Sequence, residues 1–369
     1  MRRRIILVLG LVGLQALALV VVLGITYWAS QDVLLRYAEG LAARIARDAT
    51  AYTEDFLDPA NDAALLSHRL AETMVIAPDQ RAPQARYFFE LLRTQEDFDG
   101  AYFGAETGDF IYVSRDTSVP DAVYRVKEIT TEPEREVRLD WYTAQFRRIT
   151  GRDEPEDDYD PRSRPWYAAA MAENGVAWTA PYIFFTSKQP GITVAVPVDD
   201  PVTSAVIGAV GVDIGIEDLS AFLDGLDISP RGSAAIVAQS GNIIAHSEEG
   251  LVAITDPDGS VRFNTVAEAE DPILTRAMAS IAGGLDGLFP GEIRVSRFHA
   301  DGEVWLGAAQ RLTLARTPWT VVTYMPEADI LEPLWKVRST ALVVALAALA
   351  ATAVLGMLYG RVVMNAPRA

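Results

Sequence analysis

The sequence predicts an α+β protein: two α+β modules in series on one long N-terminal helix, set between two membrane-spanning helices. Three observations carry this reading. Two apolar stretches, Ile5 to Ala29 and Ser339 to Gly360, each exceed the ~20 residues a spanning helix needs. After the first stretch, apolar residues recur at helical steps. After about residue 100 the period shortens, and a strand–helix–strand order occurs twice, the second time after Leu226.

The elements follow in order. Met1-Arg2-Arg3-Arg4 precedes the first span and orients the N-terminus to the cytoplasm. Tyr27 and Trp28 suit the outer interface, as do Trp335, Lys336 and Arg338 before the second span. A cleaved signal peptide is the competing reading. The apolar run is long for one, and Tyr27-Trp28-Ala29-Ser30 is a poor cleavage site. Val33, Leu34, Tyr37, Leu41, Ile45 and Ala49 continue the helix, a turn is expected at Asp58-Pro59, and Asn61 to Met74 reads as a second helix. Arg86 to Thr94 is a third.

Strands are expected at Phe110–Ser114, Ala122–Val126, Ala177–Thr179, Ile192–Val196 and Val206–Val212. Pro161 to Glu173 reads as a helix with Pro161 near its first turn, and Ile216 to Leu226 as a short amphipathic one. The second cycle opens with a hairpin, Ser233–Ala238 and Ile243–His246, about Ser240-Gly241-Asn242. A helix at Asp271–Ile281 follows, then strands Glu292–Phe298 and Val304–Leu312 about Asp301-Gly302, and a last strand Trp319–Met325. Glu327 to Lys336 restarts a helix into the second span. The resulting domains are 1–30, basic end and first span; 31–80, helical stalk; 81–226, membrane-distal module; 227–326, membrane-proximal module; 327–360, helix and second span; and 361–369, a cytoplasmic end.

Composition narrows the function. Formal charge is −18, and the five arginines at the two cytoplasmic ends (2, 3, 4, 361 and 368) leave about −23 on the exterior part. Such a surface disfavours nucleic acid and anionic lipid as partners. There is no cysteine, so the exterior part folds through its core without disulfides. His68, His246 and His299 are far apart in sequence, which gives no metal site, and no cofactor-binding loop or nucleophile–base set is present, so no enzyme is expected. The acidic run Asp153 to Asp158 lacks the interleaved glycine of a calcium loop and reads as a solvated loop.

One region gathers binding chemistry. Tyr159, Arg164, Trp166 and Tyr167, then Tyr182 and Asp213, supply a guanidinium, a carboxylate and four aromatic rings. Arg164 matches a carboxylate with paired donors, and Asp213 can accept from an ammonium group. Together they favour a ligand with both charges. The competing reading is an internal Arg164–Asp213 salt bridge with the rings as core. Arg162 reads as a surface strut. Ile183-Phe184-Phe185 is apolar enough to narrow or dry such a pocket.

Asp160-Pro161-Arg162-Ser163-Arg164-Pro165-Trp166-Tyr167, Trp178 to Tyr182, Ile192 to Val198 and Gly211-Val212-Asp213-Ile214 resemble the double Cache sensor domains of bacterial transmembrane receptors. The resemblance covers roughly residues 31 to 338. It implies two PAS-like modules with antiparallel sheets, the distal one binding ligand, and a place in the bacterial plasma membrane with a large external domain. In the amino-acid-binding subset a Tyr, Arg, Trp, Tyr, Tyr, Asp pattern holds the ligand, and its positions correspond here to Tyr159, Arg164, Trp166, Tyr167, Tyr182 and Asp213. The expected partners are a small ligand, an amino acid first, the membrane, a second copy through Gly356 to Gly360 near the inner end of the second span, and a cytoplasmic signalling partner. Arg361, Met364 and Pro367 faintly resemble the opening of a HAMP linker. The output in related architectures is a cyclase, a histidine kinase, a diguanylate cyclase or a chemoreceptor helix. A ligand-free dimeric scaffold and an exterior hydrolase are the alternatives from other classes.

Overall fold

The structure, a computed structural model, describes residues 2–331 except 174, 249, 256–260, 282–283, 285–286 and 314–318, together with scattered positions between 343 and 355. Helix α1 (Arg2–Glu72) is a single helix of 71 residues. It passes through Pro59 without the expected turn. A proline inside a helix removes one hydrogen bond. Here the flanking Leu57, Ala60, Ala63 and Ala64 are all buried, so packing holds the helix across the break that local propensity favours. The same packing makes 31–72 a spine. Ala38, Ala42, Ala46 and Ala49 form a buried stripe at four- and three-residue steps, and their small side chains let a sheet approach closely. Among the described residues no helix is long and apolar enough to cross a membrane. The expected first span lies in the start of α1, where many side chains are not described, and the second falls largely outside the described residues.

Helix α2 (Arg81–Thr94) lays Phe88, Phe89 and Leu92 on the first sheet. That sheet is built from β1 (Gly100–Ala105), β2 (Phe110–Arg115), β3 (Tyr124–Thr130), β4 (Glu136–Tyr142), β5 (Arg148–Asp153), β6 (Ala177–Trp178), β7 (Tyr182–Ile183), β8 (Pro190–Asp199) and β9 (Val206–Gly215). Its order is β5-β4-β3-β2-β1-β9-β8-β6, with β7 also on β8, and every pairing is antiparallel. Side chains alternate between two faces. Phe103, Ile111, Val113, Val194 and Val212 face α1 and α2, while Tyr102, Phe110, Tyr112, Ala195 and Ala209 face the other way.

The expected helix 161–173 is two pieces, a 3₁₀ turn at Pro161–Ser163 and α3 (Pro165–Ala172). The residue before a proline is driven from the helical region. Arg164 accordingly sits at φ −89, ψ 150, in extended backbone between the two pieces.

Helix α4 (Ile216–Asp224) leads to the second sheet, made of β10 (Ser233–Ala238), β11 (Ile243–His246), β14 (Ile293–Ala300), β15 (Glu303–Arg311) and β16 (Trp319–Pro326) in the order β11-β10-β16-β15-β14. A separate two-stranded ribbon joins β12 (Ala253–Thr255) and β13 (Val261–Phe263). Ala234, Ile236, Leu306 and Val321 pack toward α1, and Ala235, Val322 and Tyr324 toward α5 (Pro272–Ser280). Asp301 and Gly302 both take positive φ, as a two-residue hairpin turn requires. The chain is again helical at 327–331, and the rest of the expected exit helix lies outside the described residues.

Candidate functional site

The second face of the first sheet carries the site. Its rows are set by register: Asp213 lies opposite Gly100 and Thr193, and Tyr102 opposite Gly211 and Tyr112. Glycines make room for rings to lie across the strands. A Cβ on Gly211 would fall 2.1 Å from the Tyr102 ring, and one on Gly104 would fall 2.8 Å from Trp166. Helix α3 and the β7–β8 connection close this face.

A cavity of about 20 Å³ remains, lined by Tyr102, Phe110, Tyr112, Tyr159, Arg164, Trp166, Tyr182, Asp213 and, from the β7–β8 connection, Phe184, Phe185 and Thr186. That is room for about one water. The apolar connection narrows it, as its composition predicts. Five of the six expected residues meet here. Tyr167 does not line the cavity; it is buried against the other side of Trp166, with ring centroids 5.4 Å apart.

Asp213 is 4% exposed. Thr193 Oγ1 and Tyr102 Oη donate to its Oδ1 at 2.6 and 2.7 Å. Burial raises its pKa to about 7, and these hydrogen bonds offset only part of that. Tyr182 Oη lies 2.7 Å from Thr193 Oγ1, extending the polar cluster. Burial pushes the Tyr102, Tyr159 and Tyr182 hydroxyls upward, so all three stay neutral near pH 7.

Arg164 stands at the opposite pole. It donates to the Ile183 carbonyl at 3.2 Å and lies 5.9, 5.9 and 5.6 Å from the ring centres of Tyr159, Tyr182 and Phe185. Among the described residues no ion pair links it to Asp213 or to any other carboxylate. Trp166 Nε1 donates to Tyr159 Oη at 3.2 Å, which fixes both rings. Arg162 is exposed and paired with Asp160 at 2.8 Å. In the acidic run Asp157 is tied to Lys127 and Asp153 to Arg138, and among the described residues no cluster of three metal-capable side chains occurs.

The sequence reading omits Tyr102, Phe110, Tyr112, Thr193 and Lys127. Lys127 is 1% exposed, with its ammonium 4.6 Å from the Tyr159 ring centre; burial lowers its pKa and Asp157 opposes that. Thr193, inside the otherwise apolar run Ile192 to Val198, was the available signal; Lys127 sits among Arg125, Glu128 and Thr130 and gives none.

A ringed cavity with separated charged poles, on a sheet backed by a long helix, is the build of a ligand-binding sensory domain. The chain belongs to the Cache domain family, which it matches over residues 27–334. It is 36% identical over 95 residues to the methyl-accepting chemotaxis protein PscA of Pseudomonas syringae pv. tomato, and 34% over 96 residues to McpG of Pseudomonas putida. Each match covers 26% of this chain and 15% of the relative's length. The ligand-binding domain of the Campylobacter jejuni chemoreceptor Tlp3, solved with L-valine, superposes with a TM-score of 0.54 at 15% identity, covering 82% of this chain and 97% of that one. That of the Pseudomonas fluorescens chemoreceptor CtaA, solved with L-isoleucine, gives 0.51 at 19% identity, covering 80% and 95%. At these identities the likeness is one of fold. The relatives it matches are chemotaxis receptors, and the solved structures are ligand-binding domains of chemoreceptors.

Proposed function

We propose that this chain is the sensor of a bacterial plasma-membrane receptor, and that it binds an amino acid outside the cytoplasm and transmits the bound state inward. The observation that carries this reading is the separation of Arg164 from Asp213: both line one cavity, and no ion pair joins them. In this reading Arg164 takes the ligand carboxylate and Asp213 its ammonium group. Tyr159, Trp166 and Tyr182 wall the site, and Tyr167 supports Trp166 from behind. A ligand lacking either charge would leave a buried group unmatched, which costs roughly 1–3 kcal/mol or more for a charge.

The membrane part rests on apolar side chains with little protein around them. Leu14, Leu17, Val20 and Val21 in α1, and Val343, Val344 and Leu355 near the other end, are 50–68% exposed. A hydrocarbon environment accounts for them. The two modules, about 81–226 and 227–326, then lie outside, with a second copy and a cytoplasmic partner completing the receptor.

The test is calorimetry on the full chain in detergent with a panel of L-amino acids. One or more should bind, and Arg164→Ala and Asp213→Ala should each weaken binding by ~2–5 kcal/mol. Undiminished affinity in both folded variants places the ligand elsewhere; no binding at all favours an empty scaffold. For topology, Asp258→Cys should react with an impermeant thiol reagent in intact cells, and labelling only after lysis would count against an external domain.

A further inference from the structure

We infer that Phe185 is the gate of this cavity and the residue that limits the size of ligand side chain it admits. The size half rests on the amino-acid reading above; the gate half does not. The cavity has room for about one water, less than the space the backbone of an amino acid fills, so an amino acid enters only if a lining group moves.

Most of the lining is fixed. Tyr102 and Tyr112 are buried on central strands, and Tyr159 and Trp166 are buried and hydrogen-bonded to each other. Tyr182 is tied to Thr193. Phe184 is 4% exposed and lies flat on the chain at Gly191, where a Cβ would fall 1.9 Å from its ring. Phe185 differs from all of these. It is half-buried, it belongs to the 185–187 turn, and its ring has no hydrogen bond to hold it.

The connection itself is built to let that one ring swing. Its base is closed by Phe184 N–H to the Gln189 carbonyl at 2.9 Å and Lys188 N–H to the Phe184 carbonyl at 3.0 Å. Rotation of Phe185 therefore needs no strand to unpair. The ring rests edge-on against Tyr159, with centroids 5.1 Å apart, among three cations: Lys188 Nζ at 4.3 Å, Lys127 Nζ at 5.2 Å and the Arg164 guanidinium at 5.6 Å from its centre. Cations over a ring face attract it, and they hold this one across the cavity. Arg164 is shared between gate and site. A carboxylate that engages the guanidinium competes with the Phe185 ring for it, so arrival of a ligand loosens the gate on its inner side, while Lys188 holds from outside.

The experiment uses the full chain in nanodiscs, labelled with 5-fluorotryptophan, with the Trp166 ¹⁹F signal assigned through Trp166→Phe. The solvent-isotope shift of that signal between H₂O and D₂O reports water at the indole. It should be near zero in the wild type and in Phe185→Tyr, large in Phe185→Ala, and intermediate in Lys188→Ala. Phe185→Leu makes the same comparison if the alanine variant does not fold. A Phe185→Ala signal as dry as wild type overturns the gate whatever the ligand. The second arm compares glycine, alanine, valine, leucine and phenylalanine by calorimetry. Phe185→Ala should raise affinity for leucine and phenylalanine at least tenfold relative to alanine; an unchanged ranking overturns the size limit. A wet Trp166 in Phe185→Ala with no amino acid bound by either form upholds the gate and overturns the amino-acid reading instead.

Discussion

The two sheets each bury an aspartate, and they treat it in opposite ways. In the second, Asp271 caps α5: its Oδ1 accepts from Ile273 and Leu274 N–H, both at 2.8 Å. Its Oδ2 accepts from Tyr324 Oη and lies 3.3 Å from His246 Nε2. The Glu248 N–H donates to His246 Nδ1 at 2.8 Å, so the ring's hydrogen sits on Nε2, which lies 2.8 Å from Tyr324 Oη and 3.3 Å from the carboxylate. Burial works to raise Asp271, but the bonds from His246, Tyr324 and Leu274 outweigh it and hold its pKa below the ordinary value. In the first sheet Asp213 receives two hydroxyls on a single oxygen, and burial prevails. A carboxylate whose partners are all internal is a strut. One left short beside a cavity is provisioned for a partner from outside.

The largest effect that can break this contrast is on stability. Asp271→Ala removes a cap and strands the buried Tyr324 donor, so it should cost ~2–5 kcal/mol in urea unfolding at pH 7. Asp213→Asn should do the reverse. The folded pKa of Asp213 is raised from 3.8 to about 7, so the folded state holds its proton more tightly than the unfolded chain does. That contribution is present below pH ~4 and is lost as pH rises to 7. Asparagine, which never ionises, should match wild type near pH 4 and exceed it by about 4 kcal/mol at pH 8 without ligand. Equal losses in both variants would erase the distinction.

A smaller effect sharpens it. If an ammonium group binds the ionised form of Asp213, only that fraction is competent, and affinity should fall about tenfold for each pH unit below 7 and level off above it. Calorimetry from pH 5.5 to 8.5 reads this directly. A flat profile in wild type would remove the ammonium group from Asp213.

Much of this site is legible in sequence because it is local. The run from Tyr159 to Trp166 contains its own geometry: Asp160 accepts from Arg162 N–H to start the turn, and Pro165 breaks the helix at Arg164. What fails is also physical. Trp166 and Tyr167 are neighbours on a helix, about 100° apart around its axis, so only one of them faces the cavity. Tyr102, Tyr112 and Thr193 join the site through cross-strand register, which links residues from about ten to about a hundred and ten positions apart in sequence and leaves no local mark. Strand β1, Gly100-Ala101-Tyr102-Phe103-Gly104-Ala105, lacks alternation because its glycines are there to admit rings. By contrast β4 alternates plainly, with Val137, Leu139 and Trp141 buried between Glu136, Arg138 and Asp140, yet the sequence reading leaves it unassigned.

The smallest expected effect concerns how the two regions speak to each other. Thr193, which donates to Asp213, is joined through its backbone to Thr179: its N–H donates to Thr179 Oγ1 at 3.0 Å, and the Thr179 N–H donates to its carbonyl at 2.9 Å. The preceding residue, Trp178, packs edge-on against Trp319, with centroids 5.7 Å apart at 67°. Trp319 opens β16, which runs to Pro326 and the helical turn at 327–331. A shift at Asp213 thus has a short packed route to the exit of the chain. Such a pair contributes ~0.5–1.5 kcal/mol beyond area burial, so a double-mutant cycle of Trp178→Ala and Trp319→Ala should return a coupling of that size. A ligand acts only through its differing affinity for two states, so the coupling must also appear in dynamics. Hydrogen exchange of the 319–326 amides should slow when ligand binds the wild type. In Trp178→Ala that slowing should vanish while affinity stays within a few-fold. Persistence of the slowing in Trp178→Ala would shift the route to α1, which packs on both sheets and ties them by Glu54 to Thr313.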